Sequence, residues 1–241
     1  MVDIHTHILP QLDDGSESIE ESLELLKELK NQGVTDVIAT PHFYPQTDNS
    51  RAFKSLLNES YNSLKPLIKE NDLPRVHLGC ELLYYQNIGH SDSISQFCLL
   101  DSKYLLLELT DDIIGDKLFE DLFLLKRKKF NLIIAHLERY SYAKNFRKLL
   151  KFIKEENILA QINASSVLEK RSYKVIKKLI KKDIATFIAT DTHSLEYRPP
   201  EMSKALEVLT NDFGEEYTIK LINNSINLLK NLTENEPYAK Q

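Results

Sequence analysis

Leu132-Ile133-Ile134-Ala135-His136 is a short apolar run that ends in a histidine, and the chain repeats this design. Six further runs of β character, at residues 2–5, 36–40, 76–81, 104–109, 160–163 and 186–190, likewise have a polar residue at or beside their C-terminal end. Several of their centres (Val37-Ile38-Ala39, Leu105-Leu106-Leu107, Phe187-Ile188-Ala189) are continuous in apolar residues, as strands are when both faces of a sheet are covered. Longer stretches of helical period separate the runs. The first has Ser18 and Glu21 at capping-box spacing, places Ile19, Leu23, Leu26 and Leu29 on one face and stops before Gly33. The second, near 51–71, spaces Phe53, Leu56, Leu57, Tyr61, Leu64 and Ile68 as a helix does, with Pro66 inside it as a kink or break point. More helices are expected near 116–129, 144–156, 170–182, 201–212 and 215–231. Strands alternating with helices call for βαβ units and a parallel sheet, closed or open. No Pro/Gly/Ser-rich linker, repeat or low-complexity tract divides residues 1–241, so one α/β domain is expected.

Composition removes several functions. The net charge of −5 argues against a protein whose main task is gripping nucleic-acid backbone. Two cysteines, Cys80 and Cys98, are too few for a disulfide scaffold. No secretory pattern opens the chain, and no uncharged apolar stretch approaches the roughly 18–20 residues of a membrane helix, so a soluble, cytoplasmic protein without membrane insertion is expected. The six glycines form neither a Walker loop nor a Rossmann fingerprint. Gln86 and Tyr104 stand six residues after the two cysteines, where a cysteine-nucleophile phosphatase has arginine, and there is no Gly-x-Ser-x-Gly elbow.

What remains is the placing of polar residues at strand ends. His5 and His7 end the first run, Thr40-Pro41-His42 the second, Cys80-Glu81 the third and Leu107-Glu108 the fourth. Ala135-His136, Ile162-Asn163 and Asp191-Thr192-His193 end the last three, and Asp13-Asp14-Gly15 follows the first. In α/β barrels the C-terminal strand ends converge on the active site. Residues two apart share a face, so Asp3, His5 and His7 can point together, as can Asp191 and His193 if that strand continues. Five histidines (His5, His7, His42, His136, His193) and four carboxylates (Asp14, Glu81, Glu108, Asp191) would then meet in one pocket. Such a mixture suits zinc, iron or manganese, and at roughly three to four protein ligands per ion nine suffice for two or three ions.

Each piece also has a structural reading. Glu108, in an otherwise all-leucine strand, must be paired or metal-bound; a salt bridge to a lysine or arginine is the alternative. Asp14 can be a turn residue ahead of Gly15, and Asp13 is read as one. His77 and His90 are read as hydrogen-bonded structural histidines, Cys80 as a small apolar residue. Arg139 and Arg198, near His136 and His193, match a phosphate clamp or surface salt bridges. The basic runs at 126–129 and at Lys177, Lys178, Lys181 and Lys182 read as solvated helix faces rather than a polyanion site.

Taken in order, His5-Thr6-His7, Asp13-Asp14-Gly15, Thr40-Pro41-His42, Glu81, Glu108, Ala135-His136-Leu137-Glu138-Arg139-Tyr140, Ile162-Asn163-Ala164, Asp191-Thr192-His193 and Arg198-Pro199-Pro200 with Met202 resemble the polymerase and histidinol phosphatase (PHP) superfamily. Within it they are most similar to bacterial manganese-dependent protein-tyrosine phosphatases encoded with capsular and extracellular polysaccharide genes. The resemblance implies a distorted TIM-like barrel of seven parallel strands. It also implies a trinuclear centre held by His5, His7, Asp14, His42, Glu81, Glu108, His136, Asp191 and His193, with manganese first and iron or zinc as alternatives. Arg139 and Arg198 map to phosphate-handling positions; with Asp191 and His42 they are the candidate catalytic residues. The family pattern often has Gly at Gln11, Pro at Leu137, Ala at Thr192 and a second His at Phe43. None of these departures removes a ligand, but Phe43 and the Phe43-Tyr44-Pro45 segment are read as lining the entrance, where substrate preference is set.

The implied activity is hydrolysis of phosphotyrosine by activated water, on the tyrosine-rich C-terminal tail of a membrane-associated tyrosine kinase that controls polysaccharide assembly. A phenol of pKa about 10 leaves more readily than an alkoxide and needs less help from an acid. The same chemistry serves a small-molecule phosphatase acting on histidinol phosphate or a similar monoester. A non-catalytic, metal-stabilised interaction module is the reading from another class, although nine ligands exceed the roughly four of a structural ion.

Overall fold

The computed structural model describes residues 1–110 and 114–234. The chain begins β1 (Val2–Thr6), α1 (Ile19–Asn31), β2 (Asp36–Ala39), β3 (His42–Phe43), α2 (Ser50–Glu70), β4 (Arg75–Leu78) and β5 (Glu81–Leu83). Next come β6 (Tyr104–Glu108), α3 (Asp116–Arg127), β7 (Asn131–Ile134), α4 (Phe146–Glu155) and β8 (Leu159–Asn163). It closes with α5 (Ala164–Leu168), α6 (Lys170–Lys181), β9 (Phe187–Ala189), α7 (Met202–Phe213) and α8 (Glu215–Glu234). All ladders are parallel: one sheet runs β1-β2-β4, the other β3-β5-β6-β7-β8-β9.

Backbone bonds join the two ladders into a curled barrel. Asp191 N–H donates to the His5 carbonyl and His7 N–H to the Thr192 carbonyl, each at 2.9 Å, and Thr6 bridges Thr192. On the far side Gly79 N–H donates to Ala39 (2.8 Å) and Glu81 N–H to Pro41 (3.1 Å). The seven runs thus become nine strands, because the second and third each break once. Pro41 has no N–H for the ladder. Gly79 lies so close to Leu99 that a Cβ would sit 2.6 Å from its side chain. Downstream of the breaks His42 and Glu81 pair directly in register.

Helix boundaries follow the local signals. Ser18 Oγ accepts from Glu21 N–H at 3.2 Å, while the Glu21 carboxylate reaches back one residue further than the cap, to Glu17 N–H (2.8 Å). α2 runs through Pro66 unbroken from an Asn49 cap. The β5–β6 connection departs from the alternation, with three short 3-10 turns (Ile88–His90, Ile94–Phe97, Leu99–Asp101) and no α-helix. Leu132 and Ile134 pack in one cluster with Leu122 of α3 and Leu149 of α4. Ile4, Leu106, Ile133 and Ala189 form a second cluster with Leu228 and Leu232 of α8, and α1 packs Leu25, Leu26 and Leu29 against Val37 and Ala39. No described helix is long and apolar enough to cross a membrane.

His77 serves the scaffold, as expected. Its Nε2 lies 3.0 Å from Asp36 Oδ1, and Arg75 grips both oxygens of the same carboxylate (2.7 and 2.9 Å). Burial would raise the Asp36 pKa, but these bonds outweigh it and hold the carboxyl at about 2. A depressed folded pKa stabilises above the unfolded value near 4 and loses that contribution as pH falls toward 2. Arg75 is largely exposed, so the worth is about 1 kcal/mol. Asp36→Asn is therefore expected to lower denaturation stability by about that amount at pH 7 and by nothing near pH 2. An equal loss at both pH values would refute the assignment.

Candidate metal centre

The strand ends deliver the nine proposed ligands to one place. His5 lies within β1, His7 just beyond it, His42 opens β3, Glu81 opens β5 and Glu108 ends β6. His136, Asp191 and His193 follow β7 and β9. β9 stops at Ala189, so the condition under which Asp191 and His193 would share a strand face is not met. A left-handed residue re-aims the chain instead: Asp191 has φ +53°. His136 has φ +31°, which turns its ring toward Glu81 rather than along the direction of Leu132 and Ile134. Such conformations cost a β-carbon-bearing residue of order 1–3 kcal/mol and are typical of functional sites.

At the centre four atoms converge: His5 Nε2, His7 Nε2, Glu81 Oε2 and Asp191 Oδ1. The imidazole nitrogens are 3.1 Å apart, His5 Nε2 is 3.1 Å from Glu81 and 3.4 Å from Asp191, and His7 Nε2 is 3.4 Å from both. Ring tautomers follow from the other nitrogens. His5 Nδ1 faces Gln161 Oε1 (3.2 Å) and His7 Nδ1 faces Asp13 Oδ2 (2.6 Å); both oxygens only accept, so both Nδ1 atoms carry protons. The two Nε2 atoms then present lone pairs toward each other and toward two carboxylates. Among the described residues Glu81 Oε2 and Asp191 Oδ1 are buried without a hydrogen-bond partner. Four buried acceptors without a donor need a cation. Two ligands about 2.1 Å from one ion lie roughly 3.0–3.4 Å apart, so the spacing fits.

The remaining ligands extend the cluster. His42 Nδ1 is 3.1 Å from Glu81 Oε2 and 3.7 Å from Glu108, while its Nε2 is 3.5 Å from Asp14. His193 Nε2 lies 3.3 Å from Asp14, its Nδ1 donating to the Asp191 carbonyl (3.0 Å). His136 Nε2 is 3.0 Å from Glu81 Oε1 and 3.5 Å from Glu108 Oε1. Three donor sets result: His5-His7-Glu81, His7-Asp14-His42-His193 and His42-Glu81-Glu108. Each pair of sets shares one residue, as in a compact polynuclear site. Among the described residues Glu108 meets imidazoles and not the lysine or arginine of its structural alternative.

The charges show the same demand. Burial penalises the cations of His5 and His7, yet Glu81 and Asp191 beside His5, and Asp13 beside His7, hold both above the usual histidine range. Burial likewise opposes ionisation of Glu81 and Asp191, but the surrounding histidines keep both well below the carboxylate range. Glu108 is pushed up to about 7 by burial and by Glu81. Burial, then His7 and Arg198, push His193 down to about 3.

Both arginines sit at the rim on one oxygen of Asp191. Arg139 donates to Oδ2 at 2.9 Å, Arg198 at 2.6 Å and Asn163 Nδ2 at 2.6 Å. Arg198 is thus no surface salt bridge, since Asp191 is buried. Two expectations are corrected. Asp13 is not a mere turn residue: besides His7 it accepts from His42 N–H (3.0 Å) and Gly15 N–H (3.0 Å). Gly15 is held so tightly that a Cβ would lie 2.2 Å from the His7 carbonyl. Phe43 does not line the entrance, because strand alternation turns it from His42 into the core, stacked on Phe97 at 4.3 Å. Tyr44 occupies the rim instead, stacked on His42 at 5.1 Å.

Gln161, Tyr140 and Asn163 complete the support. Gln161 Oε1 also accepts from His136 N–H (2.7 Å), and its Nε2 donates to Asn163 Oδ1 (2.7 Å). The Tyr140 hydroxyl pairs with His136 Nδ1 (3.1 Å) and accepts from Leu109 N–H (2.9 Å). The signal for Gln161 was available: a polar residue inside an apolar strand, two before Asn163. Burial pushes the Cys80 thiol well up and the Cys98 thiol to about 12, so neither is a thiolate at neutral pH.

Fold and site together define a parallel α/β barrel with a cluster of His, Asp and Glu side chains able to hold metal in its C-terminal mouth. The chain belongs to the capsular polysaccharide synthesis CpsB/CapC family, whose model matches residues 1–230. It is 32% identical to the tyrosine-protein phosphatase YwqE of Bacillus subtilis over 97% of this chain and 93% of that protein. It is 28% identical to the tyrosine-protein phosphatase CpsB of Streptococcus agalactiae, over 96% and 99%. A crystal structure from the set describing YwqE and Streptococcus pneumoniae CpsB as unique metal-dependent tyrosine phosphatases superposes with TM-score 0.86 at 29% identity, covering 96% of this chain and 95% of that one.

Residues that only orient a ligand typically weigh 10–100-fold in metal affinity. Asp13→Asn and Gln161→Leu are each expected to lower divalent-ion affinity by about that factor, measured by titration calorimetry, with the fold intact. Unchanged affinity in both would show that the imidazoles need no outer support.

Proposed function

We propose that this chain is a metal-dependent protein-tyrosine phosphatase, one domain with one site, acting in the cytoplasm on a phosphotyrosine protein. The observation that carries the reading is the acceptor-only knot of His5, His7, Glu81 and Asp191, set beside two guanidinium groups. His5, His7, Asp14, His42, Glu81, Glu108, His136, Asp191 and His193 would hold two or three divalent ions. Manganese is our assignment; imidazole and carboxylate donors without thiolate also suit iron or zinc. Such ions supply a water of lowered pKa and positive charge against the phosphoryl oxygens.

The chain's own residues supply the rest. Arg139 and Arg198 stand where a phosphate monoester approaches the cluster, and their planar forks match its oxygens. Asp191 holds both guanidiniums in place through Oδ2. The Tyr44 ring, stacked on His42 and partly exposed, offers an aromatic face to the substrate's phenyl group. With a phenolate leaving, no strong general acid is required. The family's link to capsular polysaccharide synthesis favours, as substrate, the tyrosine-rich tail of a membrane-associated kinase in that process.

With added Mn²⁺ the protein is expected to hydrolyse a phosphotyrosine peptide with kcat/KM at least tenfold above that for histidinol phosphate; the reverse order would favour the small-molecule reading. Exhaustive chelation and His136→Ala should each remove activity together with bound metal. Turnover that survives chelation sinks the mechanism. Arg139→Ala and Arg198→Ala are each expected to lower kcat/KM by about 10²-fold, as loss of one preorganised donor does.

A further inference from the structure

Beside the metal mouth lies a second concavity with opposite electrostatics. A groove of about 890 Å³ runs between α4 and α6, starting at Ser141 and Tyr142. Lys144, Arg147, Lys151 and Lys154 border it from the α4 side, Lys178 and Lys182 from the α6 side. All six are exposed, and among the described residues no aspartate or glutamate lines the groove. In a chain of net charge −5, six cations around one hollow are a concentrated field. Among the described residues Lys144, Arg147, Lys178 and Lys182 form no ion pair, whereas nearby Lys148 and Lys177 are taken by Asp116 and Asp212. The floor is apolar: Phe146, Leu150, Val175, Leu179 and Ile184. The solvated-face reading of Lys178 and Lys182 holds for one helix alone; the fold sets a second basic helix opposite them.

One backbone segment links the groove to the active site. The 3-10 segment Leu137–Tyr142 carries Arg139 at the Asp191 end and Tyr142 at the groove end. At about 2 Å rise per residue, three residues separate the two by roughly 6 Å. An extended peptide advances about 3.3 Å per residue, so positions two to five from a phosphotyrosine held at Arg139 fall inside the groove.

We infer that this groove is a docking site for an acidic, extended segment of the protein substrate next to its phosphotyrosine. The inference rests on the phosphatase reading for its geometry. A concave, apolar-floored channel fits a peptide with an occasional apolar side chain better than the flat surface of a lipid bilayer. The acidic charge can come from Asp/Glu or from further phosphotyrosines, which present the same anionic chemistry.

The test has two arms on the Mn²⁺-loaded full-length protein. In the first, fluorescence anisotropy measures binding of an unphosphorylated peptide alternating Asp/Glu with leucine, a readout independent of catalysis. The triple variant Arg147→Glu/Lys178→Glu/Lys182→Glu is expected to bind about tenfold more weakly, as is wild type at about 1 M salt, where screening reaches about 3 Å. In the second arm, KM is compared for phosphotyrosine peptides with Asp/Glu, doubly phosphorylated or neutral flanks. Wild type should favour both anionic peptides about tenfold in KM at similar kcat, and the triple variant should lose that gap while hydrolysing a small aryl phosphate normally. The milder Arg147→Gln/Lys178→Gln/Lys182→Gln variant covers a folding failure of the charge reversal and should halve the effect or more. Equal binding by wild type and variants, or groove-dependent binding of phosphatidylglycerol vesicles with equal KM for all peptides, overturns the inference. Peptide binding lost in the variant, together with no turnover of any phosphotyrosine peptide, retains the groove and removes the phosphatase reading.

Discussion

Four buried acceptor atoms that face one another set the terms for this structure. His5 Nε2, His7 Nε2, Glu81 Oε2 and Asp191 Oδ1 lie within 3.1–3.4 Å along the measured pairs, and the outward nitrogens of both rings are already committed. Lone pairs at that separation repel, and burial removes the water that would screen them. Only positive charge between them reconciles the arrangement with a folded barrel. Without a metal, protons are the available substitute, which is why the imidazoles are driven toward their cations and the carboxylates away from protonation. Stability and metal binding are therefore coupled in this fold: the barrel that concentrates the donors is also strained by them.

The register of the barrel and its irregular residues share this concentration. The β2–β4 register that pairs Ala39 with Leu78, carried on without a shift, sets His42 opposite Glu81. Pro41 interrupts the second run and the third breaks at the Gly79-Cys80 step, yet the resumed strands keep that register, so His42 and Glu81 remain direct partners. Two left-handed residues, His136 and Asp191, turn their side chains into the mouth where β7 and β9 end. Rigid strands carry the ligands almost to their places, and one irregular residue at each end completes the aim.

This division explains what could be read from the sequence. Apolar runs and their polar termini are period-two information, so the parallel strands and the nine ligand candidates were legible. Phe43 was not, because its neighbours in the mouth suggested an entrance residue, and only strand alternation turns it into the core beside Phe97. Asp13 looked like a turn residue because Asp-Gly sequences usually are; its contact with His7 arises from a loop that folds back until Gly15 touches the His7 backbone. Gln161 stands out as a polar residue in an apolar strand, but its partners His5 and His136 lie in other elements, and no local pattern names them. The basic groove escaped for the same reason, since α4 and α6 are each unremarkable alone.

Asp191 shows how one carboxylate can join the two halves of the site. Its Oδ1 faces the imidazoles of β1, while Oδ2 receives Arg139, Arg198 and Asn163. Positive charge on either side favours the ionised carboxylate, so cations bound at Oδ1 and guanidiniums held at Oδ2 support the same protonation state. The arginines are in consequence not loose rim residues. They are held by a buried anion with part of each side chain still open to solvent, and an incoming phosphoryl group meets donors whose conformational freedom is already reduced. Asn163, tied through Gln161 to His5, fixes the carboxylate plane from behind. A hydrogen-bonded line thus runs from the first histidine of the chain to the two arginines, through residues contributed by β1, β8 and the loops after β7 and β9.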